Sequence, residues 1–408
     1  MKKIIQQAFF QLRNQPLLSV ITVLGTALAI ALIMVILIVY QAKTADYAPE
    51  VNRSRSLYVK WERTVYDKKD PNSAGHSRPS LWLVKEIFYP LTTPEAVTAT
   101  YEGGEVLVGT VGSDEEMNTP LMLTDAAFWK VYQFRFLAGK PFTEADFQSG
   151  MKQAVIAKSV ARRLFGGVEN AIGKDILVNF AAYTVCGVVD DVNRFCEFTW
   201  SEVYAPYTSN AIASEAEAGQ TSGNNVITIL ARSTDDFDAI RNEVARGVAQ
   251  INTTLGDMEL QLMGQPDNFR MQLNRKFANQ YENLNANFWK YGIMILIILL
   301  VPAINLSGLT NTRMRRRLEE LGIRKAFGAT RNELVWQVLN ENLVLTVMGG
   351  LLGLALAYLF LWLMSDWLLQ TVWGATATMN ASMVSPVIFL IAFGFCLILN
   401  MFSAYVPA

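Results

Sequence analysis

The sequence predicts a membrane protein with four transmembrane α-helices and a large α+β extracytoplasmic domain between helices one and two. Hydrophobic residues make up 51% of the 408 residues, and many of them are concentrated in four long apolar runs. The long segment between the first and second runs contains shorter, strand-like stretches instead. We therefore expect residues 1–40 to hold the N-terminus and first helix, 41–287 the outside domain, and 288–408 the other three helices.

The first apolar run extends from Leu17 to Tyr40 and contains no charged residue. A helix of this length, at about 1.5 Å per residue, covers a hydrocarbon core roughly 30 Å thick. A cleaved signal peptide is the alternative interpretation, but its apolar region is shorter and ends at an Ala-x-Ala-like site. The flank "QAKTADYAPE" has no such site. The run therefore predicts a permanent anchor.

The other three runs are Phe288 to Leu309, Leu343 to Met364 and Val384 to Ala404. Pro302 lies within the second run, where it removes a helix hydrogen bond and predicts a kink. Tryptophans, which favour the headgroup level of a bilayer, lie near the ends of these runs. They are Trp289, Trp362, Trp367 and Trp373.

The distribution of positive charge predicts the orientation of the four helices. The loop between runs two and three is rich in Arg and Lys, whereas the loop between runs three and four has neither. Lys and Arg accumulate in cytoplasmic loops. The N-terminus, the basic loop and the C-terminus are therefore expected on the cytoplasmic side of the membrane. Residues 41–287 are expected outside.

The outside segment alternates between strand-like and helix-like stretches. "QAVIA", "DILVNF", "YTVCGVV" and "NVITILA" are rich in β-formers, whereas "KSVARRLFG" and "DDFDAIRNEVARGVAQI" have helical spacing. Ser233 and Asp236 form the pattern of a capping box before the second helix. With the later strand "MELQLM", this helix makes a β-α-β order typical of a ferredoxin-like half. We expect two α+β lobes that meet near 206–224.

The residues that carry enzyme chemistry are scarce. The net charge of −1 gives no reason to expect nucleic acid as a partner, and the single histidine, His76, excludes sites that need two. "GGVENAIGKD", from Gly166 to Asp175, has the wrong spacing for a phosphate loop and predicts a turn instead. We expect no catalytic residue, no metal site and no cofactor bound by this chain.

Cys186 and Cys196 leave two interpretations open. They lie ten residues apart in the outside segment, where a disulfide is chemically permitted. Two buried free thiols are the alternative. The third cysteine, Cys396, lies in the fourth run and is expected to be a small apolar filler.

The stretch "RRRLEELGIRKAFGAT", from Arg315 to Thr330, contains the densest positive cluster of the chain. It has helical charge pairs at i,i+4, Gly328 as a helix stop, and Thr330 with Glu333 as a capping box that opens the next helix. A lipid anchor requires only the positive charges. A docking surface for a cytoplasmic partner also explains the interspersed glutamates and the defined break.

The motif "EELGIRKAFGATRNEL" resembles the E-I-G-x-R-K-A-x-G-A signature of FtsX-like, MacB-like ABC transporter permeases. The residues that fit the signature are Glu320, Gly322, Arg324, Lys325, Gly328 and Ala329. Leu321 stands where Ile is more common. The stretch from Phe134, "FRFLAGKPFTEADF…ARRLFGGVENAIGKD", resembles the family's extracytoplasmic core, with Lys140 in place of the usual Arg.

This resemblance implies a function for the loop. In the family, the matching segment lies on the cytoplasmic side of the bacterial inner (plasma) membrane and couples to an ATPase. Residues 310–342 (the coupling segment) are expected to do the same, with Thr330 opening the following helix. The macrolide-exporter branch carries its ATPase domain on the same chain, and these 408 residues contain none. We therefore expect a non-catalytic subunit, with ATP and Mg²⁺ on a separate ABC-type ATPase.

The implied activity is mechanotransmission, in which ATP hydrolysis moves the outside domain to export or extract a hydrophobic compound, a peptide or a lipoprotein. The expected partners are the ATPase, a second copy or a similar permease in a dimer, membrane lipid, and a periplasmic adaptor. An extracytoplasmic sensor, or a regulator of a cell-envelope enzyme without transport, is the alternative.

Gly349, Gly353 and Ala357 form a row of small residues in the third run. Small residues at this spacing allow two helices to approach closely in lipid. The row fits either a helix contact inside one chain or a contact between two permeases.

Overall fold

A computed structural model gives the fold of the chain. It describes residues 16–110, 112, 115–275, 277–278, 289, 292–293, 323, 325–328, 330–368, 387, 389–390, 393–394 and 397–398. The chain divides into two compact units, one formed by residues 1–43 with 285–408 and the other by residues 44–284.

The secondary structure alternates between short strands and helices in the second unit and is helical in the first. The described helices are α1 (Pro16–Thr44), α2 (Leu81–Leu83, continued by a π-helical turn Val84–Phe88), α3 (Phe128–Val131), α4 (Glu144–Gln148), α5 (Lys158–Phe165), α6 (Phe237–Asn252), α7 (Phe269–Asn274) and α8 (Arg331–Leu368). The strands are β1 (Ser56–Val59), β2 (Glu62–Asp67), β3 (Asp70–Pro79), β4 (Ala96–Thr110), β5 (Glu116–Thr124), β6 (Phe136–Gly139), β7 (Gln153–Ala157), β8 (Asp175–Val178), β9 (Ala181–Val189), β10 (Val203–Pro206), β11 (Ser222–Gly223), β12 (Asn225–Leu230), β13 (Glu259–Gln261) and β14 (Asp267–Asn268).

A ten-stranded mixed sheet is the centre of the outside domain. Its strand order is β14-β1-β12-β4-β5-β10-β7-β9-β6, with β8 pairing to β4 and β9. Most neighbours are antiparallel, but β10 pairs with β5 in parallel, and β7 pairs with β9 in parallel. The expected strands "QAVIA", "DILVNF", "YTVCGVV" and "NVITILA" correspond to β7, β8, β9 and β12.

Both faces of this sheet are covered by apolar residues. In β1, Leu57 and Val59 belong to one hydrophobic cluster and Tyr58 to the other. The first cluster packs under α2, α5 and α6, and the second includes residues of α3 and α7. Successive strand residues point to opposite faces, so a sheet covered on both sides needs nearly continuous apolar strands. This explains why β7 and β12 contain long apolar runs.

A separate four-stranded sheet, in the order β11-β3-β2-β13, corrects two of the sequence-based expectations. Strand β13 follows α6, as expected, but it pairs antiparallel with β2 and not within the sheet that contains β12. Strand β12 already has β1 and β4 on its two sides, so no edge is left for β13. The β-α-β order along the chain is present, but its two strands lie in different sheets, so the expected ferredoxin-like half is wrong.

The strand pairing also contradicts the expected division into two lobes near 206–224. Strand β10 ends at Pro206 and β12 begins at Asn225, yet both belong to the ten-stranded sheet. Each of the two sheets draws strands from both sides of this segment. Long-range pairing of this kind leaves no mark in local sequence periodicity.

The ends of two helices in the domain agree with the local sequence patterns, unlike the pairing of the strands. Ser233 and Asp236 form the expected capping box at the turn that leads into α6. Helix α5 ends at Gly166, which adopts a left-handed conformation with φ of 69°. Glycine is the residue that tolerates this conformation at a helix end. The stretch "GGVENAIGKD" is thus the turn between α5 and β8 that its spacing predicts.

Two of the described helices are long and apolar enough to cross a membrane. The candidate spans are Val23–Gln41 in α1 and Leu343–Met364 in α8. Helix α1 has 29 residues, which at roughly 1.5 Å per residue gives a length of about 43 Å. These spans coincide with the first and third expected runs. The second and fourth runs, 288–309 and 384–404, lie mostly outside the described residues.

Candidate functional site

The described part of the coupling segment contains a helical turn that ends at a glycine. The backbone N–H of Phe327 donates to the carbonyl of Ile323 at 3.0 Å, and the N–H of Gly328 donates to Lys325 at 3.0 Å. Gly328 has a φ of +97°, a conformation that a residue with a side chain rarely adopts. Helix α8 then begins at Arg331, directly after Thr330. The expected break at Gly328 is therefore confirmed.

The structure describes only some of the residues expected to contact an ATPase. Lys325, Gly328 and Thr330 are exposed. The other expected residues lie outside the described part of the chain: Glu320, Gly322, Arg324 and Ala329.

Exposed apolar side chains accompany these polar residues. Phe327 is 88% exposed, Ile323 is 59% exposed, and Trp336, in the first turns of α8, is 64% exposed. Because Ile323 and Phe327 are four residues apart on one helical turn, they lie on the same side of it. Phe327 is not among the residues that match the family signature, although an aromatic residue inside a basic stretch is a signal that the sequence carries.

The row of small residues in α8 packs against α1 of the same chain. A Cβ atom added to Gly353 would lie 2.7 Å from the carbonyl oxygen of Ala27 and 3.0 Å from Cβ of Ile30. One added to Gly349 would lie 2.8 Å from Cβ of Thr26. Ala357, which continues the row, is fully buried. The row of small residues therefore forms a helix contact inside one chain, which is one of the two interpretations that the sequence left open.

Cys186 and Cys196 are free thiols in the structure, which excludes the disulfide from this conformation. The Sγ atom of Cys186 lies 3.4 Å from the carbonyl oxygen of Ala154 in β7, whereas that of Cys196 lies 3.9 Å from the carbonyl of Ala48. The two side chains are thus held by different parts of the domain. Burial raises the pKa of Cys186 to about 12 and also raises the pKa of Cys196.

Two carboxylates of the domain, Glu62 and Asp125, are buried without a cation among their described contacts, and Asp125 has the larger set of hydrogen bonds. Asp125 accepts hydrogen bonds from Thr98 Oγ1 and Tyr89 OH, both at 2.6 Å, and from the backbone N–H groups of Ala99 and Phe128. Burial raises the pKa of Asp125, and the hydrogen bonds from Thr98 and Tyr89 partly offset this. These contacts join β4, the π-helical turn and the start of α3. Asp125 therefore serves the architecture of the domain.

Two family comparisons together cover most of the chain. Residues 19–246 match the MacB-like periplasmic core domain, and residues 292–408 match the FtsX-like permease C-terminal domain.

Several curated proteins are similar in sequence. The uncharacterized ABC transporter permease YknZ of Bacillus subtilis is 23% identical over 345 residues, covering 83% of this chain and 81% of that protein. The macrolide export ATP-binding/permease protein MacB of Wolinella succinogenes is 25% identical over 359 residues, covering 86% of this chain and 52% of that protein. The pyoverdine export ATP-binding/permease protein PvdT of Pseudomonas fluorescens is 26% identical over 238 residues, covering 58% and 34%. The chain therefore spans about half, or less, of the length of these last two relatives.

Solved structures of similar domains align with about half of the chain. The extracellular domain of the noncanonic ABC-type transporter YknZ from Gram-positive bacteria aligns with a TM-score of 0.36 at 19% identity, covering 50% of this chain and 99% of that one. The periplasmic region of MacB from Actinobacillus actinomycetemcomitans aligns with a TM-score of 0.37 at 14% identity, covering 53% and 94%.

Proposed function

The chain belongs to the family of MacB-like, FtsX-like ABC transporter permeases, and from this we propose that it is a membrane subunit that converts ATP hydrolysis by a separate ATPase into movement of its outside domain. The ATPase would supply the nucleotide site with its Mg²⁺. The permease YknZ is similar over most of its length, whereas MacB and PvdT are named as ATP-binding/permease proteins. The present chain corresponds to their permease portion.

The observation that carries the proposal is the exposed apolar turn at Ile323 and Phe327. Exposed aromatic residues that fit a pocket on a partner commonly supply most of the binding energy of an interface. A lipid anchor would also use apolar residues, but it does not require the break at Gly328. Because of this break, the turn at residues 323–328 is not part of α8, which begins at Arg331. A short exposed turn of this kind suits docking to a partner.

Helix α8 begins shortly after Gly328 and continues without a break into a candidate membrane span. Helix α8 has 38 residues from Arg331 to Leu368 and contains the candidate span Leu343–Met364. A displacement imposed near Arg331 would move the whole helix, because its backbone hydrogen bonds make it rigid along its axis.

Close packing would pass the displacement on to the first span. Gly349 and Gly353 bring α8 within contact distance of the backbone of α1. Helix α1 leads directly, at Thr44, into the outside domain. Closure of two ATPases beneath a pair of permeases would in this way reach the outside domain without a path for substrate through the membrane.

The described spans favour a substrate that is handled outside or at the outer leaflet. Val23–Gln41 and Leu343–Met364 contain no Asp, Glu, Lys or Arg. Pathways for ions or sugars usually show ionisable residues within the membrane. We therefore propose export or extraction of a hydrophobic compound, a peptide or a lipoprotein, by a dimer that includes a second copy or a similar permease. Membrane lipid and a periplasmic adaptor are further proposed partners.

The test is reconstitution of the full chain in lipid nanodiscs with candidate ABC-type ATPases from the same organism. Phe327→Asp should abolish binding of the ATPase, whereas Phe327→Leu should retain most of it, because an apolar anchor is preserved. Gly328→Leu should uncouple the pair, since leucine is strained at a φ of +97°. If neither the wild type nor any variant binds the ATPase, even after crosslinking, the sensor or regulator alternative replaces the transporter.

A further inference from the structure

Two buried arginines lie where the chain enters and leaves the outside domain. Arg53 follows α1 by nine residues, and Arg275 lies at the C-terminal end of α7, before the second apolar run. Arg53 is 1% exposed, and Arg275 is 5% exposed. Arginine is rarely buried this deeply unless all of its charge and hydrogen-bond donors are engaged.

Arg53 donates to one carboxylate and two backbone carbonyls, which come from the incoming segment (residues 44–53) and from a distant loop. Its Nε donates to Glu50 at 2.7 Å, its Nη1 to the carbonyl of Ala45 at 2.7 Å, and its Nη2 to the carbonyl of Phe195 at 2.6 Å. Ala45 is the residue that directly follows α1. The planar guanidinium fork therefore fixes the end of the incoming segment to a loop of the domain that is far away in sequence.

The counter-charge of Arg53 is tied to the same loop. The other carboxylate oxygen of Glu50 accepts hydrogen bonds from the backbone N–H of Phe198 at 2.9 Å and from Thr199 Oγ1 at 3.0 Å. Glu50 is also 1% exposed. The incoming segment is thus attached to the 195–199 loop through both members of the ion pair.

Arg275 makes the equivalent attachment for the outgoing segment. It forms a buried ion pair with both carboxylate oxygens of Asp267, and its Nη1 donates to the carbonyl of Ala278 at 3.2 Å. Asp267 lies in β14, which pairs with β1, so that Asp267 is opposite Tyr58. The outgoing segment is therefore attached to the strand that continues the incoming segment.

An aromatic ring links the two attachments. The guanidinium carbon of Arg53 lies 4.7 Å from the centroid of the ring of Phe269, the first residue of α7. The centroid of the ring of Tyr47 lies 4.6 Å from the same carbon. Such contacts are strongest where both partners are shielded from water. Arg53 is therefore bonded to the incoming segment and packed on the outgoing one.

We propose that Arg53 and Arg275 are positioning residues that fasten the incoming segment (residues 44–53) and the outgoing segment (residues 267–278) into one rigid base of the outside domain. Movement of either segment would then be delivered to the whole domain, not absorbed by a flexible linker. This goes beyond the proposed function, because the rigid base exists whether or not an ATPase drives it. Hydrophobic replacements of buried ion pairs are often as stable as the pair itself, so stability alone does not explain these charges.

The experiment measures distances between spin labels by pulsed electron resonance in the full chain in nanodiscs. One label is placed at Ala48 or Phe277, which are exposed positions within the two segments, and the second at exposed Ile212 in the domain. Cys186, Cys196 and Cys396 are replaced by alanine, so that the label attaches only to the introduced cysteines.

The double variant Glu50→Gln/Arg53→Met removes both charges of the first attachment. It should turn the single narrow Ala48–Ile212 distance peak into a broad distribution, while circular dichroism and the melting temperature of the domain stay near those of the wild type. Asp267→Asn/Arg275→Met should do the same for Phe277–Ile212. Arg55→Met is the matched control. Arg55 lies two residues after Arg53, and its ion pair with Glu95 is partly exposed.

Three results decide the matter. Broad distributions in the double variants and a narrow one in Arg55→Met support the rigid base. Narrow distributions in folded double variants overturn it. If a double variant fails to fold, Arg53→Lys replaces it, since lysine keeps the charge beside Glu50 but lacks the planar fork. A peak as narrow as the wild type in folded Arg53→Lys would likewise overturn the proposal.

Discussion

Substitution of Gly353 probes the contact between α8 and α1 directly. A Cβ at this position would lie 2.7 Å from a backbone oxygen and 3.0 Å from Cβ of Ile30, neither of which is the end of a flexible side chain. The two helices must therefore move apart. Overpacking of this kind costs roughly 1–3 kcal/mol. The higher helix propensity of alanine offsets about 1 kcal/mol of that in Gly353→Ala, so Gly353→Val, which adds more volume, should be the more damaging change.

Gly25 offers a control in the partner helix. A Cβ added there meets nothing within 4 Å, so Gly25→Ala should gain up to about 1 kcal/mol from helix propensity alone. The free energy of unfolding is measured for each variant by titrating the full chain in mixed micelles with SDS, following helicity by circular dichroism. If Gly353→Ala stabilises the chain as much as Gly25→Ala does, the close packing of the helices is wrong. A change in oligomeric state without a change in monomer stability would instead place Gly353 between two permeases.

Three further outcomes are expected. Maleimide should label Cys186 and Cys196 slowly in the folded protein at pH 8 and rapidly in denaturant. For Cys186, a pKa of about 12 lowers the thiolate fraction about a thousandfold relative to a free thiol. Rapid labelling of the folded protein would contradict the burial of these thiols. The free energy of unfolding of the wild type, relative to that of Asp125→Asn, should fall as the pH rises above about 4 and through the folded-state pKa of Asp125. The reason is that this pKa is raised, so the folded state keeps its proton to higher pH than the unfolded state does. A difference in unfolding free energy that increases with pH would contradict the raised pKa. Ser233→Ala should cost about 1 kcal/mol of unfolding free energy through loss of the cap, measured by thermal melting, and a loss below 0.3 kcal/mol would show that the cap contributes little.

Features encoded by a few consecutive residues were predictable from the sequence. The family resemblance, based on motifs of this kind, is confirmed by both family matches. The break at Gly328, the cap at Ser233 and the first and third apolar runs correspond to described structure. Each depends on a local property, such as the freedom of glycine at positive φ or the length of an uncharged run.

Features that depend on pairing distant segments were not predictable. Strand β13 has one buried apolar residue, Leu260, and nothing in its three residues indicates which sheet accepts it. The attachment of Arg53 to Phe195 joins residues 142 positions apart. In the sequence, Arg53 is one of several arginines in a polar stretch. The number of spans, the topology and the dimer remain predictions.

Phe327 allows a direct test of the proposed docking to an ATPase. A photo-crosslinking amino acid is incorporated at Phe327 in the full-length protein in cells, and the products are identified by mass spectrometry. Phe180, which is 79% exposed in the outside domain, is the matched control for an accessible aromatic position. We expect a crosslink from position 327 to an ABC-type ATPase and none from position 180. Crosslinks from position 327 to lipid alone would contradict the docking role and favour the anchor.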